Sequence, residues 1–118
     1  MLPAANRLRT AADFRETTRH GSRATRGCAV VYLSPLATGG PPRVGLIVGK
    51  AVGGSVQRHR AARRIRAAIA GEITGLADGT LVVVRALPGA DTDPSLPRDV
   101  AAAVAAAADK AHRSGGST

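Results

Sequence analysis

The sequence predicts an α+β domain, with helices laid against one face of a small mixed sheet. Three observations carry that prediction. The 118 residues suffice for one hydrophobic core and are too few for two well-packed ones. Three segments read as helices and three as strands, in the order helix, strand, strand, helix, strand, helix, with room for one more short strand around Ser22 to Gly27. Glycine and proline clusters punctuate the chain between these segments.

Thr10-Ala11-Ala12-Asp13 is a capping box with Asp in place of Glu. It starts a helix from about Ala11 to Arg19, which Gly21 stops. Ser22 to Gly27 is a basic connector of small residues. Cys28 to Leu33 reads as a strand, with Cys28, Val30 and Tyr32 on one face and Ala29, Val31 and Leu33 on the other. Ser34 to Pro42 is a loop whose Gly39-Gly40-Pro41-Pro42 run forbids a helix. Arg43 to Val48 is a second strand, and a hairpin with the first across that loop is the economical arrangement. Gly53 and Gly54 end this part of the chain, and Ser55 is the expected N-cap of a long basic helix. Asp78-Gly79 marks a turn before a short buried strand, Leu81 to Arg85, and Leu87 to Pro94 is loop. The last helix begins near Ser95, with Pro97 in its first turn, and runs to about His112. Its alanines give high helix propensity but little apolar area, so weak docking is expected. Arg113 to Thr118 reads as a frayed tail.

The basic helix carries the chemistry. Arg58, Arg60, Arg63, Arg64 and Arg66 place five guanidinium groups within nine residues, with His59 among them and no carboxylate between. At about 100° per residue, Ala61, Ala62, Ile65, Ala68, Ile69, Ile73 and Leu76 share one side, while His59, Arg60, Arg63, Arg64 and Arg66 share the other. A run of charge on a helix is usually a solvated face. Like charges at i,i+4, such as Arg60 and Arg64, nevertheless repel by roughly a few tenths of a kcal/mol, and no glutamate relieves them. Phosphate binding accounts better for the row. The arginine fork matches phosphate oxygens two at a time, and the free N–H groups at a helix start favour anions.

A formal charge of +9 and a pI near 11.6 point to an acidic polymer as partner, either nucleic acid or an anionic membrane surface. All the net positive charge lies up to Arg66, where thirteen Lys/Arg face two acids; beyond it, four face six. Fifteen of the seventeen basic residues are arginine; planar contact with phosphate favours this, and a GC-rich genome produces the same bias. The membrane reading is weak. No apolar run approaches the ~20 residues of a spanning helix, and MLPAANRLRT lacks the apolar stretch of a secretory signal, so a cytoplasmic protein is expected. The single cysteine, Cys28, excludes an internal disulfide and cannot form a metal site alone; within CAVVYL it reads as a small buried residue. Unaided catalysis is not indicated. His20, His59 and His112 fall in three separate elements without a Ser/Asp or Cys partner in a recognisable motif, and the acids form no pair. Gly49, Gly53 and Gly54 are turn residues rather than a phosphate loop. No catalytic and no metal-ligating residue is expected.

The pattern V-x-K-x-V-G-x-x-V-x-R-x-R-x-x-R-x-x-R, from Val48 to Arg66, closely resembles the signature of the bacterial ribonuclease P protein subunit. Asn6-Arg7-Leu8, Phe14, Gly21, Arg43-Val44-Gly45 and Val82 to Arg85 look like the same family pattern in order and spacing. Inside the signature this chain has His59 between Arg58 and Arg60, where the family usually has Asn, and Ala51 and Ala62 where it often has Lys. The resemblance implies one RNA-binding domain over residues 1–113, a disordered tail at 114–118, and an α/β sandwich of order α-β-β-(β)-α-β-α. It also implies a left-handed crossover around the arginine-rich helix, an arrangement shared with the second domain of a small-subunit ribosomal protein.

The resemblance further implies a monomeric protein that joins a large catalytic RNA one to one. The complex removes the 5′ leader of precursor tRNA by hydrolysing one phosphodiester bond, and the RNA performs the chemistry with Mg²⁺ that it mainly holds itself, none being tightly bound by the protein alone. Lys50, Arg58, His59, Arg60, Arg63, Arg64 and Arg66 would then touch the catalytic RNA. Phe14 and Tyr32, the only aromatics in the chain, would line a cleft for the single-stranded leader, where stacking is worth roughly 1–3 kcal/mol per base and tolerates any base. At Thr18 the family often carries a second aromatic. A Phe on a helix is more often core than platform, and a ring at the rim can bury an edge while exposing a face. The runner-up is a non-catalytic RNA-binding protein, such as a ribosomal protein or an RNA chaperone, using the same arginine face. A DNA-binding module is poorly supported, for no short helix and tight turn precede the arginine helix.

Overall fold

The most apolar strand lies in the interior of the sheet. The computed structural model describes residues 6–8, 10–35 and 40–116. Its elements are α1 (Ala11–His20), β1 (Ser22–Arg26), β2 (Ala29–Pro35), β3 (Arg43–Ile47), α2 (Ser55–Ala70), β4 (Thr80–Ala86) and α3 (Leu96–Gly116). The sheet order is β1-β2-β4-β3, with β4 antiparallel to β2 and parallel to β3. The fold is α+β with a mixed sheet, as expected, and α2 forms the crossover between the neighbouring parallel strands β3 and β4.

The expected hairpin between the second and third strands does not form. Residues 80–84 of β4 are all buried, whereas β3 exposes Arg43 and half-exposes Leu46 and Ile47. The interior position, bonded along both edges, goes to the strand that can bury both faces. The hairpin is instead β1–β2, closed by Gly27-Cys28, with Gly27 at φ 52° as such a two-residue turn requires. Thus the stretch from Ser22 to Gly27, expected as a basic connector with room for a short strand, forms strand β1, with Ala24 buried and Arg23, Thr25 and Arg26 exposed. Residues 36–39 of the expected loop lie outside the described residues.

Helices cover both faces of the sheet, not one. Val31, Leu33, Val44, Val82 and Val84 form one face with Ala61, Ile65 and Ile69 of α2 and Leu96, Val100, Ala103, Val104 and Ala107 of α3. Val30, Tyr32, Leu81 and Val83 form the other, with Leu8 and Phe14 packed on it. α1 is capped by Thr10, whose hydroxyl accepts from the Asp13 N–H at 3.1 Å, and Gly21 closes it onto the Thr17 carbonyl. Thr17 is fully buried, and its hydroxyl donates to the Asp13 carbonyl at 2.8 Å.

Three further expectations are corrected. Gly54, not Ser55, is the N-cap of α2, and Ser55 is its first helical residue; Gly53, at φ 142°, turns the chain out of the 3-10 turn Lys50–Val52 and lets the helix start one residue early. α3 docks over β1, β2 and α2, because its alanines allow close approach around Leu96, Val100 and Val104. It also continues past His112 to Gly116, a run that no proline interrupts. Residues 117–118 lie outside the described residues.

Candidate nucleic-acid interface

The arginines of α2 divide between two tasks. Arg60, Arg63, Arg66 and His59 are exposed, as is Lys50 in the 3-10 turn ahead of the helix, and Arg58 is half-buried. Arg64 belongs elsewhere. Its Nη1 donates to the Ala90 carbonyl at 2.9 Å and its Nη2 to the Asp93 carbonyl at 2.5 Å, so its guanidinium fastens the 87–95 loop to the helix. The sequence reading set Arg64 beside Arg60 on an open face; the structure turns it toward the start of α3. α2 has no acidic residue in its first turn and no side-chain cap, which leaves its first N–H groups and their partial positive charge for an anion.

Two grooves flank the exposed arginines. One, of about 500 Å³, is lined by Leu46, Val48, Ser55, Arg58, His59, Ala62 and Arg66. The other, of about 470 Å³, is lined by Arg7, Arg63, Arg64, Arg66 and Ala67. Arg7 is a residue that sequence reasoning missed as part of this surface. The Leu8 N–H donates to the Val44 carbonyl at 2.8 Å and the Asn6 side chain to the Pro42 carbonyl at 2.8 Å. These bonds lay residues 6–8 along the edge of β3 and carry Arg7 to the arginine helix.

The opposite face of the sheet holds Phe14 and Tyr32. Phe14 is half-buried and rests on Gly45; a Cβ built at Gly45 would stand 2.3 Å from the ring's Cζ. Tyr32 is 8% exposed, so its ring is largely core. The pairing register sets Arg23 directly across from Tyr32 on β1 and Val83 across from it on β4, with Gly45 next in the same row. The Arg85 guanidinium lies 6.0 Å from the Tyr32 ring centroid, at the reach of a cation–π contact. Arg23 and Arg85 are both exposed. Neither stands out in the sequence, because only the strand register, with β4 paired to β2, brings them to the tyrosine. Thr18 turns its hydroxyl to the Phe14 carbonyl at 2.9 Å and adds no second ring beside Phe14.

Cys28 lies away from both surfaces. Its thiol donates to the Pro88 carbonyl at 3.3 Å. Burial pushes its pKa up, and the neighbouring Asp93 and Asp99 carboxylates add to the effect, which keeps it protonated and unreactive. Among the described residues no group of three or more His, Cys, Asp or Glu side chains is placed to hold a metal ion, and no helix is long and apolar enough to cross a membrane.

Comparison with known proteins places this arrangement. The solved structure of a Staphylococcus aureus RNase P protein superposes with a TM-score of 0.71 at 21% identity, covering 91% of this chain and 95% of that one. An RNase P protein from Thermotoga maritima in complex with 1-(4-fluorophenyl)-2-thiourea gives a TM-score of 0.59 at 21% identity, covering 78% of this chain and 79% of that one. These likenesses show a shared fold. In sequence, the ribonuclease P protein component of Beutenbergia cavernae is 49% identical over 102 residues, 85% of this chain and 86% of that protein. That of Streptomyces griseus is 47% identical over 114 residues, 88% of this chain and 93% of that protein. The Ribonuclease P family model matches residues 2–108, a span that takes in the Arg7 edge, the Phe14–Gly45 contact and the whole arginine helix, and the chain accordingly belongs to the ribonuclease P protein family.

Proposed function

We propose that this protein is the protein subunit of ribonuclease P, the ribonucleoprotein endonuclease that matures the 5′ end of tRNA. The observation that carries the reading is the placement of the arginine helix on one face of the sheet and of the Phe14 and Tyr32 rings on the other, which lets one small protein hold two stretches of RNA at once. On the α2 face, Lys50, Arg58, His59, Arg60, Arg63 and Arg66, joined by Arg7, meet the phosphates of the catalytic RNA through charge-assisted, largely bidentate bonds. On the other face, Phe14 offers an edge for stacking the single-stranded 5′ leader of precursor tRNA, while Arg23 and Arg85 beside Tyr32 meet its phosphates. Stacking and phosphate contacts read no sequence, as an enzyme acting on many leaders requires.

The protein supplies position and charge in this scheme, and the RNA supplies the reacting groups. In this reading Mg²⁺ sits with the RNA, whose phosphate oxygens suit a hard cation. One protein per RNA and a cytoplasmic location complete the reading.

Reconstitution tests it. Purified protein, a bacterial ribonuclease P RNA and labelled precursor tRNA are combined at low Mg²⁺ and scored for cleavage at the mature 5′ end. Cleavage by the mixture where neither part cuts alone is the expected result. RNA binding without rescued cleavage, even with the RNA of the same organism, would overturn the assignment in favour of a general RNA-binding protein.

A further inference from the structure

The groove between α2 and the outer edge of β3 combines two chemistries that a row of phosphates alone does not call for. Its walls carry the Arg58 and Arg66 guanidinium groups, the His59 ring and the Ser55 hydroxyl, with no carboxylate among them. Its floor is apolar. Leu46, Val48 and Ala62 are each partly exposed there, although Leu46 and Val48 also pack against the core. They remain open to the groove because residues 6–8 bridge β3 at Val44, short of Leu46. The volume, about 500 Å³, lies within the roughly 300–1,000 Å³ of sites for small organic ligands. In addition, the Nε–H of Arg58 is buried and has no hydrogen-bond partner among the described residues. An unmatched buried donor is unfavourable, and a small turn of the Arg58 guanidinium toward a bound phosphate would give it an acceptor.

A ligand that suits such a site carries an anion and a flat, weakly polar body a few ångströms apart. A regular RNA helix offers the anion only, because its bases are stacked inside and its edges lie in grooves that side chains read poorly. We propose that this groove takes one unstacked nucleotide of the partner RNA, its base against Leu46, Val48 and Ala62 and its phosphate against Arg58 and Arg66. The inference rests on the ribonuclease P reading for the identity of that RNA, and adds that α2 grips the RNA at a bulge, loop or junction. Arg60 and Arg63, outside the groove, hold the flanking phosphates.

The test uses the full chain and three small probes of graded chemistry at fixed ionic strength: adenosine 5′-monophosphate, ribose 5-phosphate and inorganic phosphate. Binding is followed by NMR, through amide and methyl shifts. Adenosine 5′-monophosphate is expected to bind roughly fivefold or more tighter than ribose 5-phosphate, which carries the same charge without the base, and to shift the methyls of Leu46 and Val48. Equal affinities for the two, or shifts confined to α2, overturn the proposal and leave a plain anion site. Ala62→Leu fills the floor at a helix position that leucine tolerates, and should bring the adenosine 5′-monophosphate affinity down to that of ribose 5-phosphate; an unchanged preference also overturns it. With the catalytic RNA, Ala62→Leu should weaken binding roughly fivefold without changing the salt dependence, since no phosphate contact is removed. If Ala62→Leu binds the RNA and supports cleavage like the parent, the nucleotide site falls while the ribonuclease P reading stands. If the parent itself supports no cleavage, that reading falls, and the adenosine 5′-monophosphate result alone decides the groove.

Discussion

The ring of Phe14 rests on the backbone of Gly45, so closely that a Cβ built at Gly45 would stand 2.3 Å from Cζ and 2.5 Å from Cε1. A strand glycine ordinarily weakens a sheet; here it makes room for the one aromatic of α1. Gly45→Ala should destabilise the fold by about 1–3 kcal/mol, the usual range for overpacking, and push the ring outward. In a Phe14→Ala background the same change should be close to neutral. Denaturant unfolding of the four proteins of this double-mutant cycle measures the coupling, and additive effects would show that the contact does not constrain the ring.

Phe14→Ala should weaken binding of precursor tRNA carrying a leader by roughly fivefold or more, as expected for loss of one stacked base, and leave binding of mature tRNA nearly unchanged. Equal losses for the two ligands would assign Phe14 wholly to the core.

Arg85→Gln removes the charge held 6.0 Å from the Tyr32 ring. If Arg85 meets a leader phosphate, the log-log salt slope for precursor binding should flatten by about one, with no change for mature tRNA. A slope unaltered for both removes Arg85 from the interface.

Arg60 and Arg64 stand four residues apart on α2 and should behave differently. Arg60→Ala should flatten the salt slope for the catalytic RNA by about one and leave stability within about 0.5 kcal/mol. Arg64→Ala should keep the slope and lower stability by about 1.5–3 kcal/mol, because its charged donors serve the carbonyls of Ala90 and Asp93. A flattened slope with unchanged stability would return Arg64 to the RNA face.

The Cys28 thiol holds its proton more tightly in the folded protein, chiefly through burial. The sign follows from linkage: the folded state is favoured below the ordinary cysteine pKa, and that contribution is lost as pH rises through the raised value. Between neutral pH and about pH 10 the unfolding midpoint of the parent should therefore fall more than that of Cys28→Ser. Parallel declines would show that the thiol is not linked to folding. Alkylation at neutral pH should be slow relative to an exposed cysteine peptide.

The arginine helix and, to within two residues, strands β2, β3 and β4 were legible because each rests on local pattern: charge spacing around Ala61, Ile65 and Ile69, and apolar runs between turn residues. Pairing was not. A sequence-adjacent hairpin across residues 34–42 looks cheapest from loop closure alone, and the preference of Val82, Val83 and Val84 for a doubly covered position outweighs it. The task of Arg64 was hidden for a related reason. Helical phase places it with Arg60, but its acceptors lie 26 and 29 residues further along the chain, in a loop whose path no local pattern reveals. Arg23 and Arg85 acquire meaning only through the register that sets one opposite Tyr32 and the other over its ring.

Strand β4, which joins β3 to the β1–β2 hairpin, is also the last strand to be synthesised. Until Thr80–Ala86 emerges, β2 has only β1 beside it and β3 has only the short bridge from residues 6–8. A nascent chain that has already exposed the entire arginine helix still lacks β4 and α3, the elements against which that helix packs. Its basic segment therefore passes through a period without those packing partners, and chains halted before residue 80 should be cleared by proteases rather than accumulate as partial subunits.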